Sequence, residues 1–165
     1  MNIKKETALH REELIALRRE FHRHPEIGTQ EFRTSAILFD YLQGLGLDVK
    51  RCTGTGVVAL LKGGLPGKTL MIRSDIDALP VTEETGLPFA SQEEGAMHAC
   101  GHDGHMAILL IVAKILCEHK NELHGQIKFV FQPNEEEAGA QPMIDAGVLE
   151  NPKPDAVFGM HLWSY

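Results

Sequence analysis

The chain has 165 residues, 43% of them hydrophobic and 24% charged, which is typical of one globular domain and excludes a disordered or fibrous protein. Acidic residues outnumber basic ones 23 to 16, and the resulting charge of −7 argues against a nucleic-acid partner. The sequence has no apolar run long enough to span a bilayer, no signal-peptide core behind its N-terminus, and only three cysteines. We therefore expect a cytoplasmic protein without disulfides that binds neither nucleic acid nor membrane.

The N-terminal part of the sequence predicts two helices followed by short strands. Apolar residues at helical spacing among charges predict an amphipathic helix over residues 6–24, closed by Pro25. A second helix follows, which Thr29 or Thr34 could cap and which ends at Gly44. The next apolar runs, separated by glycine-rich turns, predict strands over residues 47–51, 57–61 and 70–73.

The C-terminal part alternates strands and helices. After a long polar loop over residues 75–101, the pattern predicts a helix over 102–119, a strand over 126–131, a short helix over 139–146 and a strand over 156–160. Such alternation implies crossover connections, a largely parallel sheet and helices on both of its faces. The first two strands look like a hairpin, so they should add an antiparallel edge. The expected fold is an α/β three-layer sandwich with a mixed, mostly parallel sheet.

Polar side chains that carry chemistry follow three of these predicted strands. Asp75 and Asp77 follow the strand at 70–73, Glu135 and Glu136 follow the strand at 126–131, and His161 follows the strand at 156–160. Ligand sites of open α/β sheets form at the carboxyl ends of the strands. We therefore expect the three groups to face one crevice.

The densest segment, residues 97–105, holds a thiol and three imidazoles on a glycine-punctuated loop that enters a helix. Cys100 and His102 are ligands of the kind that zinc and similar divalent metals prefer, and His105 would share the face of His102 in a helix. The alternative is purely structural, with Asp103 near the helix N-terminus and a buried cysteine. From the segment alone, both interpretations stay open.

The acidic and isolated groups also have structural interpretations. Glu135 and Glu136 could lie in a solvated acidic turn, or one could bind metal while its neighbour acts as general base. Asp75 and Asp77 could be an ordinary loop entry, or could orient a ligating imidazole. A lone histidine at a strand end, as His161 is, is more often structural. For His22 and His24, on what looks like a surface helix end, a structural role is favoured.

Five stretches of this chain, in this order and spacing, resemble the N-acyl-amino-acid amidohydrolases. This branch of the dinuclear zinc metallopeptidases includes hippurate hydrolase, aminoacylase and indole-acetyl-amino-acid hydrolase. The stretches are FHRHPE at 21–26, RSDIDALP at 73–80, MHACGHDGH at 97–105, FQPNEE at 131–136 and FGMHLW at 158–163. The resemblance runs from about residue 10 to the end of the chain and implies a zinc-exopeptidase-like fold.

The resemblance also implies site roles, residue by residue. Cys100 would bridge two divalent ions (zinc, manganese, cobalt or nickel), with His102, Glu136 and His161 as the further metal ligands. The catalytic residues would be Glu135, as general base, and Asp77, as the carboxylate that orients a ligand. Asp75 stands where the wider family has a metal-binding histidine, which fits an imidazole supplied by His102 instead.

Two departures from the family pattern are visible. The branch usually carries a glycine-rich run after the paired glutamates, where this chain has Glu137, Ala138, Gly139 and Ala140. Relatives are also more than twice as long, with a lid or dimerisation domain and a second catalytic part that supplies another histidine ligand. We therefore expect residues 1–165 to be the first half of a catalytic domain, truncated relative to the family, and full-length relatives to be homo-oligomeric through the lid.

The function expected from the resemblance is metal-dependent hydrolysis of the amide bond of an N-acyl amino acid or a short peptide-like substrate. One alternative is a catalytically dead metal-binding fragment. The other is a hydrolase with Cys100 as nucleophile, assisted by His102 or His105. The fragment alone is expected to be inactive and poorly stable.

Overall fold

The computed structural model describes residues 2–163, so the ends of the predicted domain, residues 1, 164 and 165, lie outside the described part. The helices are α1 Ile3–Leu9, α2 Arg11–Arg23, α3 Phe32–Gly44, α4 His102–Glu118 and α5 Ala140–Asp145. The strands are β1 Asp48–Cys52, β2 Gly56–Lys62, β3 Leu65–Asp75, β4 His124–Gln132 and β5 Ala156–Gly159. Short 3₁₀ turns occupy Lys120–Glu122 and Glu135–Glu137.

The five strands form one mixed sheet in the order β1-β2-β4-β3-β5. β1 and β2 pair as the predicted antiparallel hairpin, and β2 also runs antiparallel to β4. β3 lies parallel to both β4 and β5, as crossovers through α4 and α5 require. The carboxyl ends of β3, β4 and β5 therefore meet at one edge of the sheet.

Helices cover both faces of the sheet, which confirms the predicted three-layer sandwich. On one face, α3 and α4 pack against the strands and α2 packs on α4. The main core lies here and includes the fully buried Phe21, Leu42, Met106 and Phe129. On the other face, Met143 of α5 packs in a smaller cluster with Met71, Val130 and Val148.

The helix boundaries differ from prediction at two places. The predicted helix over residues 6–24 is two helices that meet at His10, whose ring nitrogens each lie 3.6 Å from a carboxylate oxygen, one on Glu13 and one on Glu118. Neither threonine caps α3, and Thr29 has a left-handed φ of 68°. The side chain of Glu26 instead accepts the N–H groups of two residues in the first turn of α3.

The outer strand β5 is covered much less than the rest of the sheet. All four of its residues are exposed, and the side chains of Val157 and Phe158 leave 58% and 56% of their area accessible. In the part of the chain that the structure describes, its outer edge has no partner strand. This edge lies beside the candidate site.

Candidate metal centre

The first group of potential ligands comes from two loops at the carboxyl edge of the sheet. Cys100 precedes α4, His102 is the first residue of α4, and Glu136 lies in the turn after β4. One ligand atom from each lies within 4.8 Å of the others. Gly101 adopts a left-handed φ of 84° at the start of α4, a conformation that glycine reaches without steric cost. This bend lets Cys100 and His102 face the same point.

The segment after β5 brings His161 to the same place. Its Nε2 atom lies 3.3 Å from the Cys100 sulfur, and its Nδ1 atom lies 2.6 Å from the carbonyl oxygen of Leu162. His161 also belongs to a second group with Asp75, His102 and His105, again with ligand atoms within 4.8 Å of one another. Because His102 is common to both groups, the structure brings all four predicted metal ligands to one site.

A buried nitrogen without a partner marks the centre of this site. The His102 Nδ1–H donates to the carbonyl oxygen of Asp77 at 2.8 Å, which leaves Nε2 as the free nitrogen of the ring. Within residues 2–163, this fully buried Nε2 makes no hydrogen bond. Buried polar atoms without partners are rare in native proteins, and neutral imidazole with a fixed tautomer is a common metal ligand. A divalent ion therefore fits the donor set of this site.

Asp77 orients both sides of the site. Its carbonyl oxygen holds the His102 ring, and its carboxylate accepts the backbone N–H of Glu136 at 3.0 Å. Burial alone would raise the pKa of Asp77, but the hydrogen bonds from His102 and from backbone amides outweigh burial and hold that pKa below its ordinary value. Asp77 is thus a buried carboxylate that contacts a candidate ligand, as the sequence analysis expects of an orienting residue.

The two adjacent glutamates lie equally close to the free nitrogen but have different surroundings. One carboxylate oxygen of Glu135 and one of Glu136 each lie 3.8 Å from His102 Nε2. Glu136 belongs to the first ligand group. Glu135 instead has an arginine beside it, because Arg73 Nη2 lies 3.9 Å from its carboxylate. The two side chains therefore lie at the same distance from His102 but have different neighbours.

Arg73 is a site residue that the sequence analysis missed. Its side chain donates to Gln132 Oε1 at 3.0 Å and to the Asp75 carboxylate at 3.2 Å, and so spans the ends of β3 and β4. Its only sequence signal was its position two residues before Asp75 in the motif at 73–80. The guanidinium supplies positive charge next to the carboxylates of this site.

The three imidazoles of the motif at 97–105 have three different environments. Among the residues that the structure describes, His102 has an unpartnered ring nitrogen at the ligand groups, whereas both ring nitrogens of His98 are unpartnered but lie outside these groups. His105 uses both nitrogens, because Nδ1 lies 2.5 Å from the Asp75 carboxylate and Nε2 accepts the backbone N–H of Leu162 at 2.8 Å. His105 therefore holds the segment that carries His161. His98 is buried outside both ligand groups, and burial lowers its pKa to about 4.

His22 and His24 lie away from the ligand groups, and His22 is buried instead of lying at the surface. Its ring bridges two carboxylates, with Nδ1 2.7 Å from Asp103 and Nε2 3.2 Å from Glu83. The Asp103 carboxylate also receives Arg18, so it does not cap α4. These contacts fit the structural role favoured for His22. The sequence signal for its burial was weak, because its partners lie 61 and 81 positions away.

The environment of Cys100 weighs against a thiol nucleophile. Burial, a hydrogen bond to Glu136 and the nearby carboxylates raise the pKa of the Cys100 thiol to about 12. Reactive cysteines have lowered pKa values and electropositive surroundings, and a divalent cation would supply the missing positive charge.

The three cysteines of the chain are free thiols, as expected. Among the residues described, none of the helices combines the length and the apolar character that crossing a membrane needs.

A mixed α/β sheet with Cys, His and Glu side chains gathered at the carboxyl ends of its parallel strands is the arrangement of an α/β domain with a candidate metal centre. Residues 71–165 match the family profile described as Peptidase family M20/M25/M40. The chain belongs to this family, and the predicted resemblance is confirmed.

Individual relatives agree with this assignment. The N-acyl-L-amino acid amidohydrolase of Geobacillus stearothermophilus is 46% identical over 155 residues, which cover 92% of this chain and 41% of that protein. The N-acetyldiaminopimelate deacetylase of Listeria monocytogenes serotype 4a is 47% identical over 154 residues, 91% of this chain and 41% of that protein. The chain therefore spans about two fifths of the length of these curated relatives.

A solved structure supports the fold. A Bacillus subtilis protein described as a dinuclear metal-binding peptidase of the M20 family superposes with a TM-score of 0.86 at 40% sequence identity. The match covers 99% of this chain and 44% of that one. This likeness confirms the zinc-exopeptidase-like α/β fold that the motifs predict.

Proposed function

We propose that this chain contributes the metal centre of an amidohydrolase that cleaves the amide bond of N-acyl amino acids. The observation that carries the proposal is the buried, unpartnered Nε2 of His102, which faces a thiol and two carboxylates. The name of the Geobacillus relative supports the substrate class. A short peptide-like substrate has the same linear amide bond, so the acyl group and the amino acid are open to assay.

In this proposal, Cys100, His102, Glu136 and His161 hold two divalent ions, which are zinc, manganese, cobalt or nickel. Bound ions of this kind polarise an amide carbonyl and lower the pKa of water. Thiolate, imidazole and carboxylate together match the preferences of such borderline ions. The dinuclear description of the Bacillus relative supports the number of ions.

Three further side chains, those of Glu135, Arg73 and Asp77, move a proton or hold another group in position in this proposal. Glu135 takes a proton from the attacking water and passes it to the leaving amine, as a general base that then acts as a general acid. Arg73 lies beside Glu135 and keeps its carboxylate at the rim of the site. Asp77 keeps the proton of His102 on Nδ1, so that Nε2 stays available as a ligand.

We further propose that residues 1–165 are the first part of a catalytic domain that additional sequence completes. The length of the relatives and the uncovered β5 edge support this division. In the proposal, the additional sequence supplies a further histidine ligand, substrate contacts and, through a lid domain, the surface for homo-oligomers.

The two glutamates provide the first test. Glu136→Gln should weaken metal binding by the chain about tenfold or more, whereas Glu135→Gln should leave metal content unchanged. In the complete domain, Glu135→Gln should lower the hydrolysis of N-acetyl and N-benzoyl amino acids about 100-fold or more. Metal content is measured by elemental analysis after gel filtration, and turnover by amine release.

Glu137→Gln is the matched control, because Glu137 is exposed in the same turn and belongs to neither ligand group. Equal metal loss in the variants of Glu135 and Glu136 would overturn the assignment of their roles. A parent chain that binds no divalent metal would overturn the proposal itself. Activity that survives chelation but is lost on alkylation of Cys100 would favour the thiol nucleophile instead.

A further inference from the structure

A fully buried carboxylate lies outside the candidate metal centre, at the start of α3. Glu31 occupies the N-cap position of α3, yet its side chain makes no capping hydrogen bond to that helix. Glu26 takes this task, with its two carboxylate oxygens accepting the N–H groups of Arg33 at 3.0 Å and Thr34 at 2.7 Å. Helix capping therefore does not explain why Glu31 is buried, and a buried carboxylate without strong partners is costly.

The carboxylate of Glu31 joins two distant turns. One oxygen accepts the backbone N–H of Asn134 at 2.9 Å, and the other accepts the hydroxyl of Thr55 at 2.6 Å. Thr55 is buried in the hairpin between β1 and β2, and Asn134 lies 103 positions after Glu31, where β4 ends. Hydrogen bonds to a carboxylate are stronger than those between neutral groups, so this link fixes the position of the Asn134 backbone.

Asn134 directly precedes Glu135 and Glu136, and its backbone is held tightly. It has a left-handed φ of 52°, which sends the chain sharply from β4 into the turn of the paired glutamates. A Cβ atom on Gly28 would lie only 1.9 Å from Asn134 Oδ1, so the loop before α3 touches this residue directly. On the other side, the Gly139 N–H donates to the Asn134 carbonyl oxygen at 2.7 Å.

The turn of the paired glutamates thus has two carboxylate anchors, which accept backbone N–H groups two positions apart. Asp77 accepts the N–H of Glu136 from inside the site, at 3.0 Å. Glu31, which belongs to neither ligand group, accepts the N–H of Asn134 at 2.9 Å. Without the Glu31 carboxylate, the Asn134 N–H would lose its acceptor, and of these two N–H groups only that of Glu136 would keep its carboxylate, Asp77.

We propose that Glu31 is a positioning residue that acts through the Asn134 backbone to place Glu135 and Glu136 at the metal centre. This inference rests on the proposed function, because it assigns Glu136 to metal binding. Loss of a residue that orients a ligand commonly weakens metal binding 10- to 100-fold. We therefore expect removal of the Glu31 carboxylate to weaken metal binding about tenfold or more, although Glu31 lies outside both ligand groups.

Three substitutions at Glu31 separate positioning from plain stabilisation. Glu31→Leu removes both acceptors, and Glu31→Asp shortens the side chain so that it falls short of Asn134. Glu31→Gln keeps an acceptor for the Asn134 N–H, while its amide N–H can donate to the Thr55 hydroxyl. We expect weaker metal binding in the Leu and Asp variants, and binding within about threefold of the parent in the Gln variant.

The measurement is the affinity of the folded 165-residue chain for Zn²⁺, by competition with a chromophoric chelator, together with the visible absorption spectrum of its Co²⁺ form. The spectrum reports ligand geometry and should change in the Leu and Asp variants only. Leu38→Ala is the matched control, since Leu38 is fully buried in the same helix and its truncation should lower stability without changing metal affinity.

These measurements distinguish failure of the positioning role of Glu31 from failure of the proposed function. Parent-like affinity and spectrum in Glu31→Leu and Glu31→Asp, or equal loss of affinity in Leu38→Ala, would overturn the positioning role. If Glu31→Leu does not fold, the comparison of the Asp and Gln variants decides. A parent chain without metal affinity, or a Glu136→Gln variant with undiminished affinity, would count against the proposed function instead.

Discussion

At the scale of single residues, the turn after β4 shows a local conflict between sequence and backbone. Ala138 has a left-handed φ of 64°, a conformation that costs a residue with a Cβ atom about 1–2 kcal/mol. The family pattern usually has glycine in this region, so the departure noted in the sequence lies where the backbone would favour glycine. The strain is located two residues after Glu136.

Ala138→Gly should therefore stabilise the chain. Relief of the left-handed strain exceeds the added backbone entropy of glycine in the unfolded state, and we expect a gain of about 0.5–1 kcal/mol in the free energy of unfolding. Urea unfolding followed by circular dichroism measures this change. As a control, Ala36→Gly in α3 should lose about 1 kcal/mol. A loss of stability in Ala138→Gly would contradict the prediction.

Individual site residues were predictable where the chemistry is local in sequence. The motif at 97–105 and the groups after β3, β4 and β5 carried the family resemblance that implied Cys100, His102, Glu136 and His161 as ligands, and the structure brings these four residues together. Glu31 and Arg73 were missed, because each acts through partners that are distant along the chain or that only strand pairing brings close. A single acidic or basic residue carries no periodicity from which such a partner could be inferred.

At the scale of elements, strong patterns predicted helices and strands well, and the boundaries less well. The apolar stretch of α4 and the strands β2 and β4 were predicted within a few residues. The junction of α1 and α2 at His10 was missed, because helical spacing continues across it and the contact with Glu118 that accompanies it is tertiary. The capping of α3 by Glu26 was missed because Glu26 lies seven and eight positions before the residues whose N–H groups it accepts, outside the usual spacing of an N-cap.

The link between α2 and α4 makes stability depend on pH. The hydrogen bond to Asp103 and the charge of Glu83 raise the pKa of His22 above 6.5, although burial opposes them. Burial alone would raise the pKa of Asp103, but the hydrogen bond from His22 and the charge of Arg18 lower it below 3.8. Protonated His22 therefore stabilises the fold fully below pH 6.5, and this contribution is lost as pH rises through the raised pKa. The contribution of Asp103 is lost as pH falls through its lowered pKa.

His22→Asn should reveal this dependence. Asparagine keeps a donor for Asp103 but carries no charge, so the variant should be less stable than the parent by about 1–3 kcal/mol between pH 4 and 6.5. The difference should shrink as pH rises further. Urea unfolding at a series of pH values measures it, with the exposed His124→Asn as control. A difference in stability between His22→Asn and the parent that stays constant with pH would contradict the stabilising role of protonated His22.

At the scale of the whole molecule, the two edge strands of the sheet differ in what they expose. The β1-β2 hairpin forms one edge, and β5 forms the other with its apolar residues exposed. Unpaired strand edges with apolar side chains are templates for association. The open edge lies on the side of the candidate site, where the proposed additional sequence would pack.

We therefore expect the 165-residue chain to self-associate and to have negligible amidohydrolase activity with zinc, manganese or cobalt. Gel filtration with light scattering measures the first property, and amine release from N-acetyl and N-benzoyl amino acids the second. Val157→Lys places a charge on the exposed strand and should raise the monomer fraction, whereas Lys62→Arg on β2 should not. A monomeric parent with turnover comparable to that of a full-length relative would refute the expectation.

The spacing of the proposed ligands along the chain has a consequence for the order of events during synthesis. Cys100 and His161 are 61 positions apart, and Asp77 contacts the Glu136 backbone across 59 positions. A nascent chain therefore cannot offer all four ligands until residue 161 has left the ribosome and β5 has paired with β3. Under the proposed function, capture of the metal would follow the pairing of β5 with β3, and a ligand at 100 times its Kd would then add about 2.7 kcal/mol to the free energy of unfolding. Release of metal on heating, at a temperature below that of global unfolding, would show that the segments carrying Cys100 and His161 separate first.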